Sequence, residues 1–371
     1  MNKYQSVIEE LMIPAGIELG NGENSDLIIH DERFYDRILR DGSLGLGESY
    51  MDGWWDSSNL DGFLYKLLCA NIEKQASRNW QLILHSVKSK LLNLQTIAKS
   101  GIIAKKHYDL GNDLFEKMLD KYMQYSCAYW TKAKTLDKAQ QHKLELICRK
   151  LKLEPGQNVL DIGCGWGGFA QYAAEKYQVK VTGITISKNQ ALLARKRCKG
   201  LPVEISLQDY RALEGSFDRI VSVGMFEHVG YKNYAEFMSI AQRCLKRDGI
   251  FLLHCIGGNE STTKTDVWIN RYIFPNGMMP SVKQVGEAIE GRFILQDWHN
   301  FGLHYDRTIM AWLKNFKNSK AKLGSKYEER FYRMWEYYLC LSAVSFRAKR
   351  NHLWQIVLTH QDFKGEYQAV R

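Results

Sequence analysis

From about residue 157 onward, this 371-residue chain alternates short β-branched runs with segments of helical spacing, which narrows the folds open to it. The runs lie at 157–161, 179–184, 202–206, 217–223 and 249–254, and the helical segments at 167–177, 187–199 and 231–245. Strands alternating with helices build a parallel sheet covered on both faces, because each crossover lays a helix over the sheet. Ligands of such sheets sit beyond the carboxyl ends of the strands. The first run contains Asp161 and opens into Gly163, Gly165, Gly167 and Gly168, within VLDIGCGWGG (159–168). Glycine lets the backbone turn tightly and approach a ligand with no Cβ in the way. Gly163, Gly165 and Gly168 also fit a dinucleotide fingerprint, but that site expects an acidic residue on the ribose about 20 residues later. The zone in question reads VTGITIS (181–187) and has no carboxylate. The residues therefore favour S-adenosylmethionine (SAM) over a nicotinamide cofactor. A glycine-rich connection with no ligand stays open as the bland alternative.

Other features bound the setting. No apolar run reaches the length of about 18 residues needed to span a bilayer, and the opening MNKYQSVIEELMIP lacks the apolar core of a secretory signal. A cytoplasmic location is expected. The eight cysteines form no CxxC and no zinc-type cluster with histidine, so reduced thiols filling the core are expected and no metal site is. A net charge of +10 suits a polyanionic partner, either nucleic acid or an anionic membrane surface, and equally suits a solvated exterior. Charge alone does not choose between them.

The first hundred residues have a different character. Short elements around 26–40 lead into a glycine-rich stretch, DGSLGLGESYMDGWW (41–55), read as a turn, and helical patterns follow at about 59–73 and 76–97. Lys88 and Lys90 interleave with apolar residues in the second of these, and Lys99, Lys105 and Lys106 follow. Such a helix can lie on a membrane surface or dock on its own domain. A boundary is expected near 85–105, giving an amino-terminal lipid-associated domain at 1–85, a linker at 86–105 and a catalytic domain at 106–371.

Seven blocks now line up in order: GSLGLGESYMDGWW (42–55), HYDLGNDLF (107–115), MQYSCAYW (123–130), VLDIGCGWGG (159–168), SVGMFEHVG (222–230), YIFPNG (272–277) and DWHNFG (297–302). With them the chain closely resembles the bacterial cyclopropane-fatty-acyl-phospholipid synthases over nearly its whole length. The resemblance implies the class I SAM-dependent methyltransferase fold, an α/β, Rossmann-like doubly wound sheet with a smaller, mainly helical amino-terminal domain. It also implies a late antiparallel strand at HLWQIVLTH (352–360), after a long helix at about 325–347. The implied reaction converts a cis double bond of a phospholipid acyl chain into a cyclopropane, with the methylene taken from SAM. A bound bicarbonate, a homodimer and peripheral attachment to the inner face of the membrane are implied as well.

Residue by residue, the resemblance places SAM against Tyr125, Ser126, Asp161, Gly163, Gly165, Gly167, Gly168, Thr185, Gln190, Gln208, Asp209 and Tyr210. It places the bicarbonate against Cys127, Glu227, His254, the main chain of Ile256, and Tyr305. The chemistry fits these types. An alkene is a poor nucleophile and must be held in line with the sulfonium methyl. Positive charge then develops on carbon, and a base must remove a proton from the new methyl while water is kept out. His254 and Tyr305 can donate to an anion, and Glu227 can accept from its hydroxyl. A nucleophilic Cys127 is unnecessary, because SAM already brings the activated carbon; His228 is read as structural. Thr185 and Gln190 also suit ordinary helix-start chemistry. Two alternatives accompany this reading. One is a fatty-acyl C-methyltransferase giving a methyl-branched lipid, which would need a hydride donor; the other is a non-catalytic lipid-binding protein on the same fold. A nucleic-acid partner is not expected, since the acyl-lipid blocks outweigh the charge.

Overall fold

The computed structural model describes residues 4–20, 26–70, 111–262 and 265–371. The expected helix at 76–97 and linker at 86–105, with Lys88, Lys90, Lys99, Lys105 and Lys106, lie outside the described residues. The chain forms two compact units. One runs to Leu110 and also takes 266–275 and 317–350; the other takes Gly111–Thr265, Asn276–Phe316 and Asn351–Arg371. The segment expected as one catalytic domain, 106–371, thus contributes two later stretches to the amino-terminal unit.

In the amino-terminal unit, β1 (Ile28–Ile29) pairs antiparallel with β2 (Trp55–Asp56). The stretch expected as a glycine-rich turn is instead the helix Ser43–Met51. Its glycines serve close approach. A Cβ on Gly45 would meet Arg37 O at 2.4 Å, and one on Gly47 would meet the Trp268 ring at 2.4 Å. The left-handed conformations that break the chain fall at the flanks, at Gly42 (φ 56°) and Gly53 (φ 74°). The unit's core is aromatic, with Tyr337 against Tyr50, Trp55 and Trp268 at 5.6, 6.5 and 4.8 Å between ring centroids. Those rings are what bring 266–275 and 317–350 into this unit. The first helical pattern, expected at about 59–73, is realised as Leu60–Cys69.

The other unit carries a seven-stranded sheet in the order β5-β4-β3-β6-β7-β9-β8. Its strands are β3 (Asn158–Ile162), β4 (Lys180–Thr185), β5 (Val203–Leu207), β6 (Phe217–Val223), β7 (Leu245–Gly257), β8 (Ile294–Asn300) and β9 (His352–Thr359). The pairs among β3 to β7 are parallel, and β9 runs antiparallel between β7 and β8. Successive residues alternate faces, and both faces are covered. Leu160, Ile220, Phe251, Leu253, Ile356 and Leu358 pack with Phe237, Met238 and Val285 on one side. Val159, Val221, Ile250, Leu252 and Val357 pack with Leu144, Ile147, Phe169 and Ala173 on the other. The helices over this second face, Leu136–Lys150 and Gly168–Tyr177, flank the glycine loop.

Two elements lack a sequence signal. β8 is an edge strand whose seven residues include only one that is buried, so it shows neither alternation nor an apolar run. The helix Leu303–Leu323 follows it. The cysteines expected in the core are buried, except Cys69, and none is in a disulfide.

Candidate functional site

The glycine loop leaves β3 at its carboxyl end. Gly163 N and Cys164 N both donate to Ile184 O on β4, at 3.0 and 2.9 Å, which fixes the turn. Two of its four glycines are required by packing, and a third, Gly167, is tightly packed. A Cβ on Gly163 would meet the Met225 side chain at 2.7 Å, one on Gly167 would meet Ala194 at 3.0 Å, and one on Gly168 would meet Tyr122 O at 1.9 Å. Gly165 differs: at φ 54° its missing Cβ faces open space. Asp161, 2% exposed, leaves Oδ2 without a hydrogen-bond partner. Burial pushes its carboxyl up to about 7, against the opposing pull of the Lys143 ammonium. An unpartnered buried carboxylate oxygen beside an open glycine turn suits a ligand bearing an amine.

Tyr125, Ser126 and Cys127 lie on a strap, residues 120–128, without regular secondary structure. Asp120 anchors its start by accepting from Tyr122 N and Gln124 N, both at 2.8 Å. Gln140 Nε2 donates to Ser126 O at 2.8 Å, and Lys143 Nζ donates to Ser126 Oγ at 3.0 Å and also to Gln124 Oε1. Ala128 N then donates to Thr308 Oγ1 at 3.0 Å, tying the strap to the helix that carries Tyr305. Burial raises the Cys127 thiol well above its usual range, so it is held neutral, which suits a scaffold rather than a nucleophile.

At the ends of β4 and β5, Thr185 Oγ1 donates to Gln190 Oε1 at 2.9 Å, and Ser187 caps the helix Lys188–Arg197. Thr185 and Gln190 are therefore brought together within helix-start chemistry. Gln208 N donates to Thr185 O at 3.0 Å, joining the two strand ends. Asp209 caps the turn Tyr210–Ala212 and pairs with the Arg211 guanidinium at 3.1 Å, half exposed. Tyr210 sits in the core against Phe237, its ring edge-on at 5.3 Å.

The proposed base site gathers at the ends of β6 and β7. Glu227 stands in a short turn, Phe226–His228, and its Oε1 accepts from Ile256 N at 2.6 Å. Its other oxygen, Oε2, is buried without a partner, and burial pushes the carboxyl up to about 7. The parallel register sets His254 opposite Val223, and the antiparallel register sets it opposite Gln355. Gln355 Nε2 contacts His254 Nδ1 at 3.3 Å; with the amide as donor, the ring proton lies on Nε2, which is buried and has no partner. Burial first, then the nearby Lys143 and Lys150 charges, hold the imidazole neutral. The Ile256 main-chain N–H expected for the anion is already taken by Glu227. Tyr305 lies near the start of the helix Leu303–Leu323, its ring edge-on to Trp312 at 5.9 Å.

Sequence reading missed Lys143, Gln140, Gln355 and Trp312. The Trp312 ring meets Tyr125 at 5.2 Å as well as Tyr305, so it joins residues expected at the cofactor with one expected at the base. Lys143 does carry a signal: with Leu136, Ala139, Gln140, Leu144, Ile147 and Lys150, it falls in the buried stripe of its helix, where a charge is out of place.

The family model described as mycolic acid cyclopropane synthetase matches residues 96–356. The chain is 50% identical over 358 residues to the cyclopropane-fatty-acyl-phospholipid synthase of Escherichia coli (strain K12), covering 96% of this chain and 94% of that one. The solved structure of the cyclopropane synthase MmaA2 from Mycobacterium tuberculosis superposes with a TM-score of 0.65 at 32% identity, over 72% of this chain and 99% of that chain. That of the mycolic acid cyclopropane synthase CmaA1 complexed with SAH and CTAB gives a TM-score of 0.64 at 32% identity, over 70% of this chain and 98% of that chain.

Proposed function

The chain belongs to the family of cyclopropane-fatty-acyl-phospholipid synthases and mycolic acid cyclopropane synthetases, enzymes on the class I SAM-dependent methyltransferase fold, and we propose that it turns the cis double bond of a phospholipid acyl chain into a cyclopropane. When bound, SAM supplies the one-carbon unit as an activated methyl and bicarbonate supplies the base. The observation that carries this reading is the pair of buried, unpartnered polar atoms Glu227 Oε2 and His254 Nε2 at the carboxyl ends of the sheet. Buried polar atoms are normally satisfied, so such a pair suits a ligand with both a hydroxyl and charged oxygens.

The chain's residues divide the work. Gly165 leaves room for SAM, Asp161 Oδ2 offers an acceptor for its amine, and the Ser126 hydroxyl, which accepts from Lys143, keeps its own proton to donate. Glu227 Oε2 would accept from the bicarbonate hydroxyl, while His254 Nε2 and Tyr305 would donate to its charged oxygens. With the N–H of Ile256 engaged by Glu227, that main-chain group acts by orienting the carboxyl. The neutral Cys127 thiol fills space. The rings of Tyr125, Tyr305 and Trp312 are apolar faces that tolerate positive charge and keep water from trapping it.

The substrate lies in a bilayer, and among the described residues no helix is long and apolar enough to cross one. This fits an enzyme that works from the cytoplasmic surface, as a homodimer in the family's manner, through its amino-terminal region. The basic and apolar stretch 76–95 is the sequence feature behind that contact. Incubation with methyl-labelled SAM and liposomes of cis-unsaturated phospholipid tests the function. Ring-bearing acyl chains carrying the label are expected. A labelled methyl-branched chain formed only with a reduced cofactor would favour the C-methyltransferase reading, and SAM binding with no acyl product would remove the lipid assignment.

A further inference from the structure

We propose that Lys143 is a positioning residue for SAM: a buried cation that pins the strap carrying Tyr125 and Ser126 and balances the charge of Asp161 at the glycine loop. The inference rests on the reading of that loop as a SAM site. Lys143 is 0% exposed, so it acts only through its neighbours. Its ammonium donates to Ser126 Oγ at 3.0 Å and to Gln124 Oε1, the two strap side chains that bracket Tyr125. A buried ammonium without opposite charge is costly, and here the facing groups are Asp120 and the Cys127 thiol on the strap, Asp161 on β3, and His254 on β7.

The strap needs such a pin. It makes no strand pairing, and Met123 holds a left-handed φ of 54°, a strained state for a residue with a side chain. It also presses on the loop, since Tyr122 O occupies the place a Cβ on Gly168 would take. One turn earlier on the same helix, Gln140 grips the strap's main chain at Ser126 O. Gln140 thus fixes the backbone, while Lys143 fixes the side chains and supplies the charge. A neutral residue at 143 would remove the cation that Gln124 and Ser126 share and would let the buried Asp161 carboxyl keep its proton, so that it accepts less well from the ligand's ammonium.

The test is calorimetric binding of SAM to the full chain and to Lys143→Met, from about pH 6 to about pH 9.5, with thermal melting as the folding control. The Lys143 ammonium titrates at about 8, well below a free lysine, because burial disfavours the charge. Wild-type affinity should therefore fall above that pH by more than the ligand's own titration, which is common to both proteins. Lys143→Met should bind about tenfold more weakly at neutral pH and lose the extra alkaline fall. A folded Lys143→Met with wild-type affinity and an unchanged pH profile overturns the proposal. If Lys143→Met does not fold, the double variant Lys143→Met with Asp161→Asn decides. Recovery of the folded state supports the charge balance, and continued failure overturns it. A wild-type chain that binds no SAM at any pH would overturn the cofactor reading itself, and this inference with it.

Discussion

The main-chain N–H of Ile256 donates to Glu227 Oε1 at 2.6 Å, which turns the carboxyl so that Oε2 is left buried and unpartnered. A single hydrogen bond thus orients the group we assign to the base site. Because the donor is main chain, the bond survives side-chain changes at 256 that keep the N–H, and it depends on the register of β7 and on the turn that holds Glu227.

Glu227→Gln keeps the shape and the Ile256 bond but cannot accept through its amide nitrogen. Turnover should fall at least about a hundredfold, with SAM affinity nearly unchanged. Kinetics beside calorimetry check this, and near-normal turnover would remove Glu227 from the base site.

The same variant makes a stability prediction. Burial raises the folded carboxyl to about 7 from an ordinary value near 4.5, so the native state holds the proton more tightly than the unfolded chain does. That contribution is full below pH ~4.5 and is lost as pH rises through about 7. Glu227→Gln should therefore be more stable than wild type above neutral pH, by about 3 kcal/mol, and the gap should close toward acid. Melting curves across this range measure it; a gap that does not change with pH would show that the carboxyl is not perturbed.

Cys127→Ser should retain a large part of the activity, since the thiol is held protonated and Ser126 and Ala128 keep their main-chain anchors. Complete loss in a folded variant that still binds SAM would point instead to covalent chemistry at sulfur.

The four loop glycines should separate cleanly. Gly165→Ala points its Cβ into open space, costs about 1–2 kcal/mol for the left-handed conformation, and should fold but bind SAM weakly. Gly168→Ala would force a Cβ to within 1.9 Å of Tyr122 O and should fail to fold or melt many degrees lower. Expression, melting and SAM titration of the two variants decide; equal behaviour would contradict the division.

Trp312→Ala removes a ring that is 1% exposed and should cost about 3–5 kcal/mol of stability. Trp312→Phe should fold, and because the ring touches both Tyr125 and Tyr305, it should weaken SAM affinity and turnover together. An effect on one alone would show that the two tyrosines are not coupled through it.

Residues that announce themselves by local pattern were legible in the sequence. The five parallel strands and the glycine loop follow from apolar runs and glycine spacing, and the family resemblance implied the late antiparallel strand. Glu227 follows the fourth strand as expected, whereas His254, expected at the end of the fifth, lies within β7, which runs on to Gly257. Elements whose logic is tertiary were not legible. The stretch 41–55 reads as a turn because glycines usually mark one, yet Gly45 and Gly47 are there to let Arg37 and Trp268 approach a helix. β8 hides because an edge strand needs no apolar alternation. Lys143 stands out as a charge in the buried stripe of its helix, but its role shows only once Gln124, Ser126 and Asp161 are seen around it. Likewise, nothing in the local sequence shows that 266–275 and 317–350 join the amino-terminal unit, since the rings that draw them there come from distant segments.

In the proposed reaction a methylene, not a methyl, reaches the lipid, and one proton is removed by a base held at Glu227 and His254. Trideuteriomethyl SAM with cis-unsaturated phospholipid vesicles, followed by mass analysis of the released acyl chains, tests it most directly. Ring-bearing chains that keep two of the three deuteriums are expected. Chains that keep all three on a methyl branch would contradict it.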